Sequence, residues 1–145
     1  MEQPFEPTQS DIDDFLGHNG HIMKFHYDRF NSNDAETKQD GWNGMYMSLR
    51  VQIERCCKFS IDLNETEEDR ATWRSKAQMI ILDLCNVAIF YKEKITKAYH
   101  EDIIRLLYVL RFQHPIGEAY IESDMIFKEK IVRAIATLGR YARTL

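Results

Sequence analysis

Four stretches of the chain carry apolar residues at intervals of three and four, and each predicts an amphipathic helix. From Trp42 to Phe59, the residues Tyr46, Leu49, Ile53 and Cys56 fall on one face. From Glu65 to Tyr91, the residues Trp73, Ala77, Ile80, Leu84, Val87 and Tyr91 form a stripe that Ile81, Leu82, Ala88, Ile89 and Phe90 widen. Such breadth marks the inner member of a bundle. Asn64 or Thr66 is placed to cap this helix, with Glu67, Glu68 and Asp69 near its positive end. The third stretch, "EDIIRLLYVLRF" at 101–112, precedes a turn at "HPIG", where Pro115 prevents easy continuation. The fourth begins near Ser123 and reaches the C-terminus along Phe127, Ile131, Ala134, Leu138, Tyr141 and Leu145.

The first 42 residues read differently. "SDIDDFLG" predicts a short helix capped by Ser10 and stopped at Gly17. "HIMKFHYDRF" predicts a second, with Ile22, Phe25, Arg29 and Phe30 at helical spacing. The polar, aperiodic stretch 31–44 reads as a linker. The expected fold is all-α: an antiparallel up-down four-helix bundle over 43–145, preceded by an acidic N-terminal arm and linker, 1–42, with one or two short helices.

Charge sharpens that division. The net charge is −4, but residues 1–40 hold nine acids and three bases, and residues 41–145 hold 14 acids and 16 bases. A slightly basic body therefore follows an acidic arm. No apolar run reaches the roughly 18 residues of a membrane span, and the N-terminus lacks the basic start and apolar centre of a secretory signal. Three cysteines, Cys56, Cys57 and Cys85, show no C-x-x-C spacing. An odd count without that spacing fits a reducing compartment, and the expected location is the cytoplasm.

Most catalytic chemistry finds no motif here. The glycine-rich phosphate loops, the G-x-S-x-G elbow and the zinc deaminase signature are absent. No E-x-x-H pair exists, which removes a carboxylate-bridged di-metal bundle. Arg111 and His114 stand too close together, just before Pro115, for a helical ribonuclease of the HEPN type. "GHNGHIMKFHYD" brings His18, His21 and His26 within nine positions, with Asp28 following. His18 and His21 would share a helix face, but His26 lies roughly 140° beyond His21. That spacing neither requires nor forbids a metal, so a metal-dependent enzyme using the three histidines stands as one alternative, and a solvated polar patch as the other. On the last helix, Lys130, Arg133, Arg140 and Arg143 fall opposite the apolar stripe. Such a row can meet nucleic-acid phosphates, or it is a solvated face with Glu129 and Arg133 as an i,i+4 pair.

"LLYVLRF", 25 intervening residues and "LGRYARTL" resemble the C-terminal half of the accessory variability determinant (Avd) proteins of diversity-generating retroelements. Those proteins group with the four-helix proteins encoded in ribosomal-RNA intervening sequences. The shared features are Leu110-Arg111 and Gly139-Arg140, with Tyr46 and Lys58-Phe59 similar in type to the family's first helix. The resemblance covers residues 43–145. It implies a non-catalytic, homo-oligomeric accessory protein that binds RNA and a reverse transcriptase and needs no cofactor. Arg111 and Arg140 match its pattern; Lys130, Arg133 and Arg143 extend the site along the helix face. The alternative is a protein–protein adaptor without nucleic acid. No small-molecule substrate is evident from the sequence.

Overall fold

The computed structural model describes residues 4–113 and 124–145. Among them are six α-helices and no strand: α1 (Gln9–His18), α2 (His21–Phe30), α3 (Ala35–Ser60), α4 (Glu67–Phe90), α5 (Lys97–Tyr108) and α6 (Met125–Ala142). A 3₁₀ turn, Lys92–Lys94, joins α4 to α5, and a π-helical turn, Val109–Gln113, extends α5. No helix among the described residues is long and apolar enough to cross a membrane. The all-α class agrees with the periodicity. The turn expected at 114–117 lies outside the described residues.

Side-chain caps fix four of the helix starts. Thr8, rather than Ser10, caps α1 in a reciprocal box: it accepts from the Asp11 amide, and the Thr8 amide donates 2.7 Å to the Asp11 carboxylate. Asp34 accepts from Thr37 N–H, Thr66 from Asp69 N–H and Asp124 from Phe127 N–H. Each cap satisfies an amide that the helix itself leaves open.

The expected linker is mostly helix. Only a short turn separates Phe30 from Asp34, and α3 then runs unbroken from Ala35. Gly41 and Gly44, within the expected linker, are helical and sit where α2 crosses α3. A Cβ on Gly41 would lie 2.6 Å from the His26 carbonyl oxygen and 2.8 Å from the Arg29 carbonyl carbon. A helix with side chains at those positions could not accept α2 at this distance.

One core draws from all six helices. It includes Ile12 and Phe15 of α1, Met23 and Phe30 of α2, Leu49 and Ile53 of α3, and Ile81 and Leu84 of α4. Ile103 and Leu107 of α5 and Ile131 and Leu138 of α6 complete it. The two short helices expected near the N-terminus therefore exist, and their apolar residues join those of the body. α1 packs on α4 and α2 on α3; α3 also packs on α4, and α6 on both α4 and α5. The buried side of α2 is not the expected one. Ile22 and Phe25 are 74 % and 58 % exposed, while Met23 and Phe30 point inward.

Polar and aromatic contacts tie α3 to α5. The Tyr46 hydroxyl donates to Asp102, which also accepts from Arg50 at 3.2 Å and Arg105 at 3.4 Å. Trp42 stacks on Tyr46, and Tyr99 stands edge-on to both. His100, fully buried, sits 2.9 Å through Nε2 from the Lys92 carbonyl, which holds the 3₁₀ turn against α5.

Candidate functional site

The amphipathic pattern of α6 turns Phe127, Ile131, Ala134 and Leu138 into the core, which leaves its bases on the outer half. The structure divides the expected row into separate places. Arg140 and Arg143 are exposed at the C-terminal end of α6 and make no ion pair among the described residues. That end carries the negative pole of the helix, which favours cations there. Lys92 joins this end of the molecule, with its Nζ 5.7 Å from the centre of the Tyr141 ring. Arg111 stands on the π-helical turn after α5 and is half-buried.

Lys130 and Arg133 face elsewhere. Arg133 donates to the Pro4 carbonyl at 3.0 Å, and the Phe5 amide donates to Thr137 Oγ1 at 3.0 Å. These two bonds lay the N-terminal segment across α6. The segment closes one side of a cavity of about 370 Å³ bordered by Lys130 and Arg133. The N-terminal side adds Phe5 and Glu6, and α1 adds Asp11, Asp14 and His18. The α4 side carries Met79, Leu82, Asp83 and Asn86. Two of the bases assigned to an open cationic face therefore share a cavity with the chain's own carboxylates.

Asp83 is the buried charge of this site, only 3 % exposed. Its carboxylate meets His18 Nδ1 at 3.0 and 3.3 Å. Burial pushes the Asp83 carboxyl up to about 6; the His18 bond opposes the rise, and the nearby Asp14 adds to it. When His18 donates through Nδ1, the neutral ring keeps its lone pair on Nε2. The site thus places acidic and basic side chains around one cavity. Among the described residues, no serine, threonine or cysteine lines the cavity.

The histidines that stand close in sequence are not gathered in space. His18 bonds Asp83 across from α4, His21 is exposed at the start of α2, and His26 packs against Gly44 of α3. Asp28 is engaged by Lys24 at 2.6 Å. Among the described residues no group of three or more His, Cys, Asp or Glu side chains could hold a metal ion. The placement of these residues does not support the metal-enzyme alternative. Cys56, Cys57 and Cys85 are all buried free thiols. Burial pushes Cys85 up to about 12, which keeps it protonated and unreactive.

Two features escape the sequence reading. One is Asp83, although a lone carboxylate inside "MIILDLCNVAIF" is a signal: a charge in an apolar helix needs a partner. The other is a set of exposed apolar side chains. Ile22 and Phe25 of α2 and Met47 and Val51 of α3 are each more than half exposed on two packed helices. Set against known protein families, curated proteins and solved structures, the chain finds no match in any of the three.

Proposed function

We propose that the chain is a non-catalytic helical accessory protein that binds RNA, with a reverse transcriptase as the partner the Avd resemblance implies. The observation that carries the reading is the outward position of Arg140 and Arg143 at the end of α6, beside Lys92 on Tyr141. Exposed cations can release counterions from phosphates. The footprint is smaller than the sequence suggests, because Lys130 and Arg133 border the cavity instead. Its supporting scaffold is an up-down bundle of α3, α4, α5 and α6. Gln39 meets Tyr99 and Arg50 meets Asp102, as expected if α3 and α5 point the same way. Gln78 meets Asp124, and Lys92 beyond α4 meets Tyr141, as expected if α4 and α6 also share a direction. A cytoplasmic location belongs to the same proposal.

The test is retention of single-stranded RNA as salt is varied. Three phosphate contacts predict a slope of log K against log salt of about −2. No retention at low salt contradicts the reading.

A second reading, the adaptor, is favoured by the exposed Ile22, Phe25, Met47 and Val51. The occupant it commits to is a second copy of the chain. Four side chains expose only a few hundred Å², the scale of an ordinary monomer patch. Self-pairing therefore buries less than about 1,200 Å² and predicts a weak dimer. Light scattering at rising concentration should show dimerisation that Phe25→Asp abolishes. A monomer at all concentrations removes this reading.

A further inference from the structure

The cavity between α1, α4 and α6 has charges of opposite sign on facing walls. α1 presents Asp11 and Asp14, and the N-terminal segment adds Glu6. α6 presents Lys130 and Arg133. The two walls do not neutralise each other by a direct bond between Asp14 and Lys130: among the described residues neither is in an ion pair. Asp11 is occupied by the α1 cap and Arg133 by the Pro4 carbonyl, which leaves Asp14 and Lys130 as the available pair. The floor holds Asp83, almost wholly buried beside His18, and Phe5 and Leu82 give the space an apolar lining. A volume of about 370 Å³ lies in the range of small-molecule sites.

We propose that this cavity binds a small zwitterion, of amino-acid to dipeptide size, with its ammonium toward Asp14 and Asp83 and its carboxylate toward Lys130. A simple amine would satisfy the acidic wall and leave Lys130 facing nothing. A simple acid would meet Lys130 while standing against Glu6, Asp14 and Asp83. Only a molecule with both groups answers both walls, and its apolar body would lie along Phe5 and Leu82. This site is separate from the exposed end of α6 and does not depend on RNA binding.

The experiment is calorimetry and thermal unfolding of the full chain with the free amino acids, glycylglycine and 4-aminobutyrate. The controls are 1,4-diaminobutane and succinate. At least one zwitterion should bind and raise the melting temperature, since binding to the folded state alone stabilises it. Asp14→Asn and Lys130→Gln, both at exposed positions that leave the fold intact, should each weaken that binding by tenfold or more. The proposal is overturned if no zwitterion in the panel binds, if diaminobutane or succinate binds as tightly, or if either variant leaves the affinity unchanged.

Discussion

Gly41→Ala is expected to separate α2 from α3 and to cost at least about 3 kcal/mol in urea unfolding, above the ordinary range for overpacking. The atoms in the way are backbone. The added methyl would meet the carbonyl groups of His26 and Arg29 and, closer still, the Phe30 amide nitrogen. No rotamer change removes a backbone atom, so α2 must move as a unit and Phe30 must leave the core. Gly44→Ala provides the internal comparison. There the obstruction is the imidazole of His26, whose Cε1 would lie 2.5 Å from the new Cβ. A side chain can be cut away, so His26→Ala should relieve much of the Gly44→Ala penalty, with a coupling energy above about 1 kcal/mol in a double-mutant cycle. The same cycle on Gly41 should show no such relief. Equal and small costs at both glycines would mean that α2 does not pack on α3 as closely as described.

The second large effect is at Asp83. Its carboxyl is raised to about 6 from an ordinary value of 3.8, chiefly by burial. A group whose value is raised on folding supports the fold fully below its unfolded value and loses that support as pH rises through its folded value. Between about pH 4 and 6 the native chain should therefore lose stability relative to Asp83→Asn, which does not ionise. Above pH 7 the variant should be the more stable by up to about 3 kcal/mol, less to the extent that cavity water solvates the native carboxylate. His18→Ala should act in the opposite direction at neutral pH, because it leaves the buried carboxylate without its partner. Urea unfolding from pH 4 to 8 reads both. A stability difference between the native chain and Asp83→Asn that is flat with pH contradicts this account of the site.

The helical class was legible because the long apolar stripes bury where they repeat. Leu49, Ile53, Ile80, Leu84, Ile131 and Leu138 all lie in the core. What misled was residue chemistry whose meaning depends on a neighbour. Gly41 and Gly44 resemble a linker until α2 is laid against them. In α2, Ile22 and Phe25 share helical spacing with Phe30, yet Met23 joins Phe30 inside and they do not. Among the bases of α6, angular position places Arg133 near Arg140, but it cannot reveal that residues 4 and 5 return from the far end of the chain to Arg133 and Thr137. The three histidines fail as a cluster for the same reason. Each is claimed by a different partner: Asp83, solvent and Gly44.

The account rests on a division of labour along α6, with Lys130 and Arg133 bordering the cavity while Arg140 and Arg143 face outward. Side-by-side RNA titrations of Lys130→Gln/Arg133→Gln and Arg140→Gln/Arg143→Gln at low salt test that division directly. The outward pair should lose binding by tenfold or more, and the cavity pair should stay within about twofold of the native chain. The reverse pattern, or equal losses in both, would contradict it.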